Sequence, residues 1–436
     1  MRLPQKRSDK KNSSMCLDLL QAKINVIIKF IIRLLSNTNL IIMKKVILLF
    51  LVLGISMSLK AQRINDSLSI ELTNLSKKNS LVGFGVAIVN KDSIIYAKGF
   101  GTANKKSNTP YNIHTVQPIA SVSKTLLGVA LMKAQEMGKL QLNDPINDYL
   151  PFKIYNPNFS NEKITIQQLA NHTSSILDGA SYEKTYVYQN KITPFFKHFD
   201  DKILKEEVKQ WVDMVNANKM MPLGEFIKKQ YVKDQAWYNT KKNFSNNRPG
   251  STYKYSNMGA NITAYIIEQA TGENYAEFVR KHILEPLQMK SSGWRGKNYE
   301  PKNISTLYWF NHPLPNGDLI TYPDGNFMSN VIDYGTFLSA MIKGYKGENN
   351  VLTAQSYKVM MKNPVSSDFK KGVFWSVDSE KIGHSGNDPG ILSHAYFLKN
   401  VGIGIVLFIN TSDAENSMLD ARDIYRTLKK YIEKYY

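Results

Sequence analysis

The chain has 436 residues, 43% of them hydrophobic and 21% charged, which suits one large globular domain or two moderate ones and excludes collagen, coiled coil and bulk disorder. Its formal net charge of +20 is uneven, residues 1–62 holding 11 Lys/Arg against 2 Asp/Glu, and no dense basic patch with interleaved aromatics marks a nucleic-acid binder. The single cysteine, Cys16, keeps disulfides and thiolate metal sites out of the main body, and the 7 histidines lack HExxH-type spacing for a catalytic zinc.

Residues 1–42 read as a mis-assigned or disordered extension, with Met43 as the true start; a membrane-associated N-terminal helix is the alternative. Residues 43–61 then form a signal peptide within MKKVILLFLVLGISMSLKAQ. Lys44 and Lys45 make its basic region, Val46 to Leu59 its apolar run, and Ala61 the small residue before the cut. The run is short for a membrane span, and no cysteine follows to carry a lipid. The protein is therefore expected to be secreted or periplasmic, touching membrane only through an uncleaved signal, with residues 63–436 as the domain proper.

RINDSLSIELTNLSKK begins that domain as a helix, and VGFGVAIVNKDSIIYAKGFG follows as a β-hairpin turned at Asn90–Asp92. A helix starts at Ser121 and stops near Gly138. ITIQQLANHTSSI holds a short helix and a loop. Residues 177–250, rich in Asn, Lys and aromatics, read as helices and long loops over one face. GANITAYIIEQATG, YAEFVRKHILEPL and VIDYGTFLSAMIKG are amphipathic helices, GVFWSV, KIGHSG, SHAYFLK and GIGIVLFIN are strands, and AENSMLDARDIYRTLKKYIEK is a closing helix. Strands at both ends with helices between predict an α+β fold: an antiparallel sheet assembled from the two ends, flanked by terminal helices, with an all-helical lobe inserted.

Three stretches carry chemistry. In IASVSKTLLGVALM, Ser121 and Lys124 stand at a helix start, where residues i and i+3 share a face. Free N–H groups there favour developing negative charge. S-x-x-K alone is weak, since it recurs at Ser8/Lys11, Ser160/Lys163, Ser181/Lys184, Ser251/Lys254 and Ser367/Lys370. Lysine becomes a useful base only when desolvation or a nearby cation lowers its pKa. Ser123 points elsewhere and reads as structural. The second stretch, PGSTYKYSNMGANI, offers Tyr255 as a proton relay and Asn257 as a holder of a substrate carbonyl; a buried tyrosine and a helix cap are the commoner uses. The third, KIGHSGNDPGILSHAYFLK, ends a strand in His384-Ser385-Gly386. It narrowly misses G-x-S-x-G, with Asn387 in place of the last glycine and strands rather than a helix following, which argues against an α/β-hydrolase elbow at Ser385.

With these stretches in order, separated by 134 and 129 residues, the chain resembles the serine β-lactamase and penicillin-binding-protein superfamily over roughly residues 65–430. It looks closest to the branch holding class C β-lactamases, esterases and D-amino-acid peptidases. The resemblance implies a serine hydrolase without metal or cofactor. Ser121 would be the acylated nucleophile, Lys124 its activating partner, Tyr255 the relay or base, and Asn257 a substrate and lysine contact. His384, Ser385 and Gly386 would line the opposite wall, and the N–H groups of Ser121 and Asn387 would form the oxyanion hole. The implied partner is a small-molecule or peptide substrate, peptidoglycan fragments included. Two positions depart from the pattern. His384 replaces a lysine that anchors β-lactam carboxylates, which points to an ester or D-peptide substrate rather than an antibiotic, and Gly325-Asn326 stands where relatives often show two glycines. A true β-lactamase and a non-catalytic binding module are the competing readings.

Overall fold

The computed structural model describes residues 64–78, 80–192, 202–297, 299–362, 371–413 and 416–436. The proposed extension and signal peptide lie outside them. After a helix over residues 64–78 (α1), the apolar run Gly83–Val89 forms β1, buried along its whole length, and Ile94–Asn104 returns beside it as β2. Thr109–Pro110 (β3) closes that edge. From the other end of the chain come Ser376–Val377 (β4), Lys381–Asp388 (β5), Ile391–Leu398 (β6) and Ile403–Ile409 (β7). The seven-stranded sheet runs β4-β5-β6-β7-β1-β2-β3, and every pair is antiparallel. The two ends join where β1 meets β7, with Val86 opposite Leu407 and Ala87 opposite Val406. Continuous apolar runs rather than alternating ones mark β1 and β7 because both faces of the sheet are covered.

Helices fill the middle of the chain. Lys124–Glu136 (α2) is buried on every side from Lys124 to Met132, as expected of a helix that is apolar all round. Further helices are Ile166–Ala170 (α3), Lys202–Ala217 (α4), Leu223–Tyr231 (α5), Asn257–Thr271 (α6) and Tyr275–Val279 (α7), with α2 and α3 packing on α6. Val331–Tyr345 (α8) covers β1 and β7, Ala354–Met360 (α9) packs on α8, and Asn416–Tyr435 (α10) lies against β7. Two elements differ from expectation. YAEFVRKHILEPL is α-helical only to Val279 and continues as a wider π-turn over Arg280–Leu284. GVFWSV pairs only through Ser376 and Val377, because Phe374, at φ 58°, turns the chain and sends Phe374 and Trp375 into the core.

Candidate active site

Ser121 lies in the tight 3-10 turn Ala120–Ser123 that leads into α2. Ala120 holds φ at 46°, a left-handed conformation that a side chain adopts only when its surroundings enforce it. The enforcement is visible. The Ser123 hydroxyl donates to the Ala120 carbonyl at 2.7 Å and accepts the Phe327 N–H at 3.2 Å, and the Ile119 N–H bonds the Phe327 carbonyl at 3.0 Å. Ser123 therefore builds the turn.

Lys124 is fully buried beneath the serine. Its ammonium donates to Ser121 Oγ at 3.1 Å and to the Asp324 carbonyl at 2.7 Å, and lies 5.3 Å from the centre of the Tyr255 ring. Burial disfavours its charge, but Tyr255, Asp324 and Asp178 outweigh burial and raise its pKa above the ordinary lysine value. The direction is opposite to the lowering that a lysine base needs, and favours Lys124 as an ammonium. The carboxyls that hold it carry the strain. Burial pushes Asp324 up to about 6 despite the Lys124 charge and the hydrogen bonds it accepts from Tyr182 at 2.8 Å and Asn261 at 2.6 Å. Burial likewise raises Asp178, which accepts from the Met258 N–H at 2.9 Å, the Ser256 hydroxyl at 3.0 Å and the Asn257 amide at 3.0 Å.

Tyr255 and Asn257 are fixed by the start of α6. Ser256 is extended, and its hydroxyl accepts the Gly259 N–H at 2.9 Å, a cap that begins the helix at Asn257. The Tyr255 ring, 36% exposed, stacks on His172 at 4.5 Å and faces His384 at 6.1 Å. Asn257 reaches the cleft; one N–H of its amide donates to Asp178 at 3.0 Å and the second is free for another acceptor.

On β5, His384 is 5% exposed and its Nδ1–H donates to the Ser385 carbonyl at 2.6 Å, which leaves Nε2 as a buried acceptor without a partner. His172 has the opposite sense. Its Nδ1 accepts the Ser256 N–H at 3.2 Å, so Nε2 carries the proton, and that N–H is also buried and unpartnered. Burial first, then the charges of Lys371 and Lys124, hold both imidazoles neutral, well below the usual histidine pKa. Among the described residues β4 pairs with β5 only at Ser376–Gly383 and Val377–Ile382, so no described strand pairs with Ser385–Asn387 on the edge away from β6. A Cβ on Gly386 would stand 2.8 Å from the Ser121 nitrogen, which places β5 in backbone contact with the serine turn.

A cleft of about 640 Å³ gathers Ser121, Tyr255, Asn257, His384, Ser385, Gly386 and Asn387 on its walls, with Lys124 beneath its floor. Sequence reasoning missed Asp178, Asp324, His172 and Lys371. ANHTSSI and YPDGNF drew notice as stretches, yet neither a lone buried Asp nor a lone His announces its partner in sequence. Among the described residues no group of three or more His, Cys, Asp or Glu side chains is placed to hold a metal.

An antiparallel sheet closed from both chain ends, with a serine turn wedged between it and a helical lobe, defines the β-lactamase and penicillin-binding-protein fold. Residues 71–428 match the family model described as Beta-lactamase, and the chain belongs to that family, one of serine hydrolases acting through an acyl-enzyme. Protein flp of Staphylococcus aureus is 24% identical over 345 residues, which cover 77% of this chain but 60% of that protein. The chain thus spans about 60% of the length of that relative. Two solved structures share the fold. The octameric penicillin-binding protein homologue from Pyrococcus abyssi superposes with a TM-score of 0.62 at 22% identity, over 80% of this chain and 73% of that one. The D-amino acid amidase from Ochrobactrum anthropi SV3, solved with L-phenylalanine, superposes with a TM-score of 0.63 at 18% identity, over 85% and 98%.

Proposed function

We propose that this protein is an exported serine hydrolase that cleaves an ester or amide of a D-amino acid or D-amino-acid peptide through an acyl-enzyme on Ser121. The observation that carries this reading is the contact of a buried ammonium, Lys124 Nζ, with Ser121 Oγ at 3.1 Å, on the floor of a cleft that Tyr255 also lines. Ser121 Oγ attacks the carbonyl carbon as its proton passes to Tyr255 reacting in its phenolate form, whose negative charge the Lys124 ammonium offsets until the proton arrives. The carbonyl electron pair moves onto the oxygen, where the N–H groups of Ser121 and Asn387 receive it. Collapse returns the pair and expels the alcohol or amine, which takes its proton from Tyr255. Water then repeats the sequence in the Ser121 ester and frees the acid. A second cavity of about 500 Å³ shares Asn387 with the cleft and is walled by Tyr186, Trp211, Trp309 and Phe310, which favours an aromatic acyl group. Similarity to a D-amino acid amidase supports the same choice. The leader at Met43–Gln62 is the ground for export, which N-terminal sequencing of protein recovered from the medium or periplasm tests.

A true β-lactamase fits less well, because His384, at the position where a lysine would anchor the antibiotic's carboxylate, is buried and neutral. The test is labelling by a neutral fluorophosphonate, then a panel of D-aminoacyl esters, D-peptides and nitrocefin. Labelling that disappears in Ser121→Ala, with turnover of D-aminoacyl substrates and slow nitrocefin hydrolysis, is expected. A folded protein that resists the label would instead be a non-catalytic module, and brisk nitrocefin turnover would make it a β-lactamase.

A further inference from the structure

We infer that Lys371 is a specificity-determining residue of this cleft: its ammonium binds a free carboxylate on the substrate, so the hydrolase prefers acidic substrates to their neutral amides. The inference rests on the hydrolase reading above.

Lys371 precedes β4 and lines the same cleft as Ser121. Its Nζ lies 5.8 Å from the centre of the Tyr255 ring and donates to Ser376 Oγ at 2.6 Å. No carboxylate among the described residues pairs with it. Among the described residues the cleft wall contains two further cations, Lys381 and Arg422, and no Asp or Glu. Lys381 is directed over the rings of Tyr396 and Tyr425, at 4.2 and 5.0 Å. Among these cations Lys371 is the one beside Tyr255. An ammonium removed from water without a counter-ion is unfavourable, and an arriving anion relieves that cost. His384, the strand residue on that wall, is buried and neutral and supplies no such charge.

Among the described residues, the charged and titratable groups facing Lys371 are Lys124 of α2, Tyr255 before α6, His172 after α3 and His384 of β5. None of them is a carboxylate. Burial, then the Lys124 charge, presses the Lys371 pKa down to about 8. The amine is therefore mostly charged at pH 7, and the preference for acids fades as pH rises through that value. Arginine, which does not titrate there, keeps it.

The experiment measures protection of Ser121 from a neutral fluorophosphonate by N-acetyl-D-phenylalanyl-D-alanine or by its C-terminal amide. At pH 7 the acid is expected to protect at about tenfold lower concentration than the amide, the scale of a charge-assisted hydrogen bond. Lys371→Met should erase the difference. Lys371→Arg should retain it and carry it to pH 9, where the wild type has lost it. Equal protection by the two ligands, protection by neither, or a difference that survives Lys371→Met overturns the inference. A folded wild type that the fluorophosphonate does not label overturns the hydrolase reading instead. The carboxylate preference is then judged by calorimetric binding of the same two ligands, against the same tenfold expectation.

Discussion

Alanine at position 386 would place its methyl carbon 2.5 Å from Ser393 Oγ and 2.8 Å from both the Ile119 carbonyl oxygen and the Ser121 nitrogen. The Ser393 hydroxyl, which donates to that same carbonyl at 2.7 Å, can rotate away. The two backbone atoms belong to the clamped serine turn and cannot, so β5 and the turn must part by about half an ångström to restore ordinary contacts. Overpacking of this kind costs about 1–3 kcal/mol of stability. The kinetic cost is larger, because the proposed oxyanion hole takes one N–H from each of the separated elements. Misplacing one such donor lowers kcat by about 10²–10³-fold, or about 3–4 kcal/mol in the transition state. Gly386→Ala is therefore expected to keep a cooperative unfolding transition at slightly lower temperature and to lose kcat by that factor, with little change in KM. Steady-state kinetics on the best ester from the substrate panel, with single-turnover acylation, measures it. A variant within about threefold of wild-type kcat would show that the contact between β5 and the serine turn does not build the oxyanion hole.

Tyr255→Phe keeps the ring that stacks on His172 and removes the oxygen; kcat and the labelling rate of Ser121 should both fall about 10²–10⁴-fold without loss of melting temperature. Asp324 has a folded pKa of about 6 against 3.8 for the free group, so its contribution is most favourable below pH 4 and is lost as pH rises through 6. Asp324→Asn should then gain on the order of 3 kcal/mol in urea unfolding at pH 8 and little at pH 4. The same substitution should lower activity, and the wild-type loss of activity below about pH 6, as the carboxylate beneath Lys124 is neutralised, should be missing from its pH profile. Trp211→Ala should raise KM for aromatic D-acyl esters about tenfold and alter acetyl esters much less, since Trp211 walls the adjoining cavity.

Local pattern was enough for most of the fold. β1 and β7 are long apolar runs, α2 is a long apolar helix, and Ser256 is a capping residue before a periodic segment, so each announces itself within about fifteen residues. Elements whose form depends on distant packing were less legible. Phe374 and Trp375 look like strand residues, yet a left-handed φ at Phe374 turns them into the core. The candidate site divides the same way. Ser121, Tyr255 and His384 stand in short recognisable motifs, whereas Asp324 reaches Lys124 across 200 residues and Lys371 reaches Tyr255 across more than a hundred, with no periodicity to connect them.

The unreadable residues are also the ones that decide how the readable ones work. From S-x-x-K alone, burial should have made Lys124 a neutral base. The fold instead surrounds it with the carboxyls of Asp178 and Asp324, each raised by its own burial, and with the Tyr255 oxygen. As an ammonium, Lys124 orients Oγ by hydrogen bonding and can stabilise an oxyanion on the neighbouring Tyr255. The base proposed for the serine proton is then Tyr255, the more exposed of the two partners, at 36% against a fully buried lysine. Around that ring His172 and His384 are neutral, and the Lys371 Nζ lies 5.8 Å from its centre. Lys124 thus serves the reacting oxygen from below, while Lys371 faces the cleft. The second charge is available to the substrate because the first is already committed to the protein.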